Sequence, residues 1–466
     1  MKKAKTDVLL ESLSVKEYKS FERFLKYSLN DKSVHVLNYW TSVYSPAKNT
    51  INFQQSKSFS RKTLSDFNKQ IEKYFIFRNL ETDTFGKTVY LIRELRKRNI
   101  EKYFDKLLND LNKYHNHKYK KGFPSILALL KLNFEEYMLH NSRVDEKKMN
   151  SVSKNRIILL DVATAHAKLL DFYNDTYYSK DKKFNDEGMV NLSKVTEFVK
   201  NNSKYFIKNF PNVWILYLIH NAINDSLNLD LIIDAFKFFK NHESSFTEDF
   251  LQIGYDALLR LLFSKLNEGN SKAFEYFYDL ILYLESKGIL SRLLHIPPRI
   301  FVGFVMATSS SGNYNLANKI VEEYGNKIVT SLREPVLVIS KSMIELAQGN
   351  SKFVKTKLEN IKTHDSMLYL FSKTTLLKAY YENNELRKIY PLTDAIKHFL
   401  YRRKDIQEIQ KSIFKFLYYL GKLTQIKKKN GNGLESIESL LLIENYFFQK
   451  RWIVSKYLEL KQTYDK

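Results

Sequence analysis

The chain of 466 residues contains no cysteine. That absence excludes disulfide staples, thiolate nucleophiles and cysteine-ligated zinc, and it fits a reducing compartment. Proline and glycine are also scarce, at 7 and 13 residues, so little interrupts a regular backbone. Long apolar runs are missing: the longest, Val213 to Ile219, falls far short of the about 20 residues that cross a bilayer. The opening Met1 to Ser12 is basic but offers only Val8-Leu9-Leu10 as an apolar stretch, too little for a secretory signal. A cytoplasmic protein without membrane insertion is expected. No glycine loop ending in Lys-Ser/Thr, no dinucleotide fingerprint, no Gly-x-Ser-x-Gly elbow and no His-Glu-x-x-His helix occurs. Each would mark a common catalytic or nucleotide chemistry. The expectation is a non-enzymatic protein with no cofactor and no metal.

What is present points to helices. Apolar residues recur at spacings of three and four, as in Phe21, Phe24, Leu25 and Leu29, and again in Ile126, Leu129, Leu130, Phe134 and Met138. This spacing gathers them on one helical face. Strand-like alternation is almost absent. The fold class expected is all-α, and the 44% apolar and 14% aromatic content is ample for its core. The first helices read as Ser14 to Ser28, with Ser14 as N-cap, then Lys32 to Tyr44 and Lys62 to Arg78. A polar loop, Pro46 to Ser60, separates the last two. That loop is too long for a DNA-reading helix-turn-helix, so the short helices are expected to cap the end of a helical stack.

In the C-terminal half a turn recurs: Gly269-Asn270, Gly312-Asn313, Gly349-Asn350 and Asn383-Asn384, at intervals of 43, 37 and 34 residues, with Gly421 a further 38 on. Such periods bracket one helix-turn-helix unit. Glycine supplies the positive φ of a tight turn between helices. Around Gly312-Asn313-Tyr314-Asn315-Leu316-Ala317 the chain resembles a tetratricopeptide repeat, in which Ala317 would take the small position at the crossing of helices A and B. Val354 holds that place after Gly349, Ala273 lies one residue early after Gly269, and the helix A tryptophan of the family is missing. The resemblance implies stacked antiparallel helical hairpins, a tetratricopeptide-like solenoid behind an N-terminal short-helix cap.

A second resemblance is one of layout. Leu13-Ser14-x-x-Glu17-x-x-x-Phe21-x-x-Phe24-Leu25, Tyr278 to Leu290, Tyr380-Tyr381-Glu382 and Phe399-Leu400-Tyr401-Arg402-Arg403 are similar to a group of uncharacterised bacterial all-helical proteins. It implies an intracellular helical-repeat protein rather than an enzyme. Three regions are expected: a basic helical module over 1–120, a middle helical region over 121–250, and the repeats over 251–466.

The net charge of +24 is uneven. It is +13 over residues 1–150, zero over 151–350 and +11 over 351–466. Arg93, Arg96, Lys97 and Arg98, then Lys118, Lys120 and Lys121, then Arg402-Arg403-Lys404 and Lys427-Lys428-Lys429 form local clusters. Arg93, Arg96, Arg98, Arg402 and Arg403 are the candidate phosphate contacts of a nucleic-acid-binding surface. Against this, Lys outnumbers Arg by 59 to 16, and Arg is the residue suited to bidentate phosphate contacts. A solvated Lys-rich surface is the plainer reading. His115 and His117 are two apart, on different helical faces, and make a poor metal pair. Asp181 to Gly188 lacks the ligand order of a calcium loop, and His166, among small residues, reads as a core histidine. A protein or peptide partner is therefore expected, bound along the helix A positions of the repeats, with Lys341, Glu345, Lys373 and Lys378 as contacts.

Overall fold

A computed structural model describes residues 5–28, 34–45, 50–51, 59–98, 100–117, 120–178, 191–225, 228–403, 406–444 and 446–464. Among these, 24 α-helices and one two-residue strand pair, Tyr44–Ser45 with Thr50–Ile51, account for the regular structure. The fold is all-α. The chain divides into two compact units, one of residues 1–119 and 124–161, the other of 120–123 and 162–466. The first unit thus runs past the boundary expected at 120, and residues 162–250 belong with the C-terminal region.

The first unit begins with α1 (Lys5–Glu11), α2 (Val15–Ser28) and α3 (Val34–Val43), followed by α4 (Arg61–Thr82), α5 (Thr84–Lys97), α6 (Glu101–His117) and α7 (Phe123–Ser142). α8 (Glu146–Tyr178) belongs to it up to Asp161. Ser14 does stand at the start of α2: its N–H and its hydroxyl both donate to the Glu17 carboxylate, at 2.8 and 2.6 Å, the reciprocal half of a capping box. The stripe read from the sequence buries Phe21 and Leu25. Phe21 meets Trp40 edge-on at 5.0 Å and Phe67 at 5.8 Å, the geometry that aromatic quadrupoles favour. The His115 and His117 side chains, Lys118, Asp181–Gly188 and Lys404 lie outside the described residues.

The second unit contains the repeated turn. Its later helices are α13 (Glu248–Asn267), α14 (Ser271–Ser286), α15 (Ile289–Arg292), α16 (Pro298–Ser310), α17 (Tyr314–Tyr324), α18 (Thr330–Ala347), α19 (Ser351–Leu358), α20 (Ser366–Glu382), α21 (Leu386–Arg402), α22 (Gln407–Lys428), α23 (Leu434–Ile443) and α24 (Lys450–Tyr464). They follow α9 (Leu192–Asn201), α10 (Ser203–Asn209), α11 (Pro211–Asn224) and α12 (Leu229–His242).

Each turn closes the preceding helix in the same way. Gly269, Gly312 and Gly349 have φ of +88°, +75° and +88°, and the next N–H reaches back five residues: Asn270 to the Lys265 carbonyl at 3.2 Å, Asn313 to Thr308 at 3.0 Å, Asn350 to Glu345 at 2.8 Å. This is the Schellman closure, which satisfies carbonyls that a helix end leaves open. The same asparagine then starts the next helix. Its side-chain oxygen accepts from Ala273 N, Leu316 N or Phe353 N at 3.1, 3.2 and 3.4 Å, serving as N-cap.

The fourth turn is displaced by one residue from its expected register. Asn384, at φ +58°, takes the glycine's place and Glu385 N donates to the Tyr380 carbonyl at 2.8 Å. Asn tolerates this conformation better than other side chains do. Gly421 is no turn; it lies inside α22, and the matching closure is Gly431 N to the Ile426 carbonyl, with Asn430 at φ +49°. Five residues after the turn, Ala317, Val354 and Ile389 are all wholly buried. The position is a packing contact whose size varies. α13 packs on α14, α16 on α17, α18 on α19 and α20 on α21, while α16 also packs on α13 and α18, and α18 on α20.

Two of the turn glycines separate strain from collision. An added Cβ at Gly312 meets nothing within 4 Å, whereas at Gly269 it would strike the backbone of Phe447. Gly312→Ala is expected to lose roughly 1–2 kcal/mol, the left-handed backbone cost alone, and Gly269→Ala clearly more. Urea denaturation of the two variants measures the difference; equal losses would remove the close approach of Phe447.

Candidate binding surface

Phe447 and Phe448 are buried and bring the last helix back onto the earlier ones. The Phe448 N–H donates to Ser412 Oγ at 2.6 Å, and its ring lies 5.9 Å from Phe416 and 6.4 Å from Phe371. From there α24 packs on α22 and α23, touches the start of α14 and the end of α20, and faces the turn ends of α13, α16, α18 and α20 across a cavity. Its contacts alternate between aromatic and ionic. Trp452 packs edge-on against Tyr381 at 5.5 Å, the Arg451 guanidinium sits 3.9 Å from the centre of the Phe274 ring, and Lys456 pairs with Glu382 at 2.7 Å.

Between α24 and these turn ends lies a cavity of about 520 Å³. Met306, Met343, Leu346 and Phe274 form its apolar wall, and Thr375, Lys378, Gln449 and Lys456 its polar side. The Lys378 ammonium donates to the Gln449 side-chain carbonyl and lies 5.4 Å from the Trp452 ring centre. Burial pushes its pKa down to about 7, the nearby Glu382 pulling the other way, because a desolvated ammonium loses its hydration. Gln449 itself has φ +58°, and its amide N–H donates to the Met306 sulfur at 3.0 Å, a weak acceptor.

Of the four expected partner contacts, only Lys378 lines this cavity. Lys341 is exposed on α18. Glu345 braces the neighbouring turn, accepting from the Asn350 side chain at 2.8 Å. Lys373 donates to the Leu358 carbonyl at 3.4 Å beside the Tyr369 ring. Gln449 and Trp452, which complete the site, carry no sequence signal of their own, since their role depends on where a distant segment docks.

The expected phosphate contacts divide as well. Arg93 and Arg96 are not free for phosphate: their Nε atoms donate to the two oxygens of the buried Glu135 at 2.7 and 3.0 Å. A carboxylate gripped by two guanidiniums satisfies both signs of charge where water is excluded, and Glu135 in turn raises the Arg93 pKa by hydrogen bonding. Arg98 remains exposed, with Glu94 at 3.9 Å. Arg402 is exposed, and the Arg403 guanidinium stacks over Phe399 at 5.4 Å. His166 is buried against Phe123, 5.0 Å between ring centres, and burial lowers its pKa to about 4. It is a neutral core residue. Among the described residues no three His, Asp or Glu side chains gather as a metal site.

Two measurements test these assignments. Folding lowers the Lys378 pKa from 10.5 to about 7, so between those values the unfolded chain holds a proton that the folded chain has lost. Stability therefore rises with pH across that window, and the penalty is complete below it. Lys378→Met is expected to stabilise by on the order of 1–3 kcal/mol at about pH 6, with the gain fading towards pH 10; a pH-independent gain would contradict the buried amine. Glu135→Ala leaves Arg93 and Arg96 without their carboxylate and is expected to lose roughly 1–3 kcal/mol in urea melts. Comparison with protein families, with curated proteins and with solved structures finds no match to this chain.

Proposed function

We propose that this chain is a non-enzymatic helical-repeat protein, built as a tetratricopeptide-like stack, that binds a protein or peptide partner through the helix A face of residues 251–466. One observation carries the reading: α24, a helix of the chain itself, is seated against the start of α14 and the end of α20, held by the Trp452, Arg451 and Lys456 contacts. A surface that takes one helix through aromatic anchors and charge pairs has the chemistry to take another. The partner helix or peptide would compete with α24 for the face, and a cytoplasmic setting suits such a scaffold.

The nucleic-acid reading is weaker. Two of its five arginines, Arg93 and Arg96, are committed to Glu135, which leaves Arg98, Arg402 and Arg403. A photo-crosslinking residue placed at the exposed Ala347, beside α24, is expected to capture a protein that the same residue at the exposed Leu442 does not. Capture from Leu442 alone would move the partner surface elsewhere. Fluorescence anisotropy with single-stranded RNA and duplex DNA, from about 50 to 300 mM salt, is expected to show no steep, salt-sensitive binding; such binding would restore the nucleic-acid reading.

A further inference from the structure

We propose that the cavity beneath α24 is a binding site for a small amphipathic carboxylate, its carboxyl group meeting Lys378 and the Gln449 amide and its apolar body lying against Met306, Met343 and Phe274. The inference does not rest on the partner assigned above, since a small molecule would enter with α24 in place.

Size decides first between a small molecule and a chain segment. About 520 Å³ falls within the roughly 300–1,000 Å³ of ordinary ligand pockets, and a helix with its side chains, about 10 Å across, does not fit while α24 is seated. The exposed Ser271, Ser310 and Ala347 border the cavity and give it a mouth at the turns.

Charge decides the head group. The other cations of this face have partners: Lys456 pairs with Glu382 at 2.7 Å, Arg451 has Glu275 at 3.5 Å, and Lys450 donates to the Glu444 carbonyl at 2.6 Å. Lys378 meets the neutral carbonyl of Gln449 and the Trp452 ring instead. Glu382, one turn along the helix, also lines the cavity but is paired with Lys456, and a desolvated ammonium whose neighbouring carboxylate is engaged elsewhere is stabilised by an incoming anion. Gln449 adds a second donor. Its N–H is spent on a thioether sulfur, an exchange for a carboxylate oxygen would strengthen the bond, and the side chain is held there by a left-handed backbone that a non-glycine residue adopts at a cost.

The body follows from the wall. Met306, Met343, Leu346 and Phe274 offer adaptable thioethers and one aromatic face, which suit a flat or branched apolar group. The other ionisable groups at the cavity are Glu382 on the same helix as Lys378 and, on α24, Lys450, Arg451 and Lys456, of which Lys456 pairs with Glu382; from α22, Lys427 donates to the Tyr381 carbonyl at 3.1 Å. α16 and α18 contribute no ionisable group to the lining. Titration of Lys378 is therefore the charge change the ligand would feel near neutrality.

The test uses dansylglycine, an aromatic body with one carboxylate, and dansylamide, the same body without it, each titrated by fluorescence onto the full chain. The expected result is one saturable site that prefers dansylglycine by about tenfold at pH 6, the worth of a charge-assisted bond. The preference should shrink by pH 9 as the ammonium is lost, and Lys378→Met should abolish it while dansylamide binding stays. Lys352→Met, an exposed lysine on α19 outside the cavity, should change neither. Equal affinity for the two probes on the unaltered chain, an undiminished preference in Lys378→Met, or no binding up to about 1 mM would each overturn the proposal. The two-probe comparison needs no variant, so it stands even if a substitution disturbs folding.

Discussion

Everything in the second unit depends on how a helix can end without leaving its carbonyls unsatisfied. A helix leaves four such groups at its C-terminus, and this chain closes them with one device used at least four times: a residue in the left-handed region followed by an N–H that reaches back five residues. The device has a geometric by-product. It turns the chain within about three residues, so the next helix starts at once and packs on the one before it. In three of the four turns one asparagine both completes the closure and caps the following helix. The short turns and the placing of α13, α16, α18 and α20 against one another are then a single event rather than separate achievements.

The return of α24 rests on the same ends. Gly269 is not only a helix stop: the Phe447 backbone passes where its side chain would be, and two residues later Gln449 is forced into a left-handed conformation. The hydrophobic gain of burying Phe447, Phe448 and Ile453, at about 25 cal/mol per Å², offsets that strain and the desolvation of Lys378. The compromise is local. Lys456 reaches the Glu382 carboxylate across the interface and so engages it, while Lys378, one turn back on the same helix face, meets Gln449 instead.

These relations explain what could be read in the sequence. The turn chemistry was legible because it is local: glycine, asparagine and the residue five places on act within one turn of helix, and Ala317, Val354 and Ile389 are buried as that logic requires. The fourth turn slipped by one residue because asparagine can stand in for glycine as well as serve as a cap, so Asn383-Asn384-Glu385 admits two registers. Gly421 misled for the complementary reason, since a helix interior tolerates glycine at a modest cost. The basic cluster at Arg93 and Arg96 was legible as charge but not as structure: the carboxylate that holds it is 42 residues away from Arg93, and nothing in a local pattern marks Glu135 as its partner.

The same distinction governs the cavity. Lys378 could be singled out from its helix, but its depressed pKa arises from burial, and Gln449 and Trp452, which lie against it, come more than 70 residues later, with no periodicity to announce them. Charge on this protein therefore has two physical classes. Most of the lysine excess is solvated and cheap to carry, and its sum tells little. Among the described residues, cations drawn out of water meet specific groups, among them Glu268 for Lys265, Glu135 for Arg96, Glu382 for Lys456 and a neutral amide for Lys378. The last of these answers is the weakest, and an interior charge that is weakly answered is where an anion has most to offer.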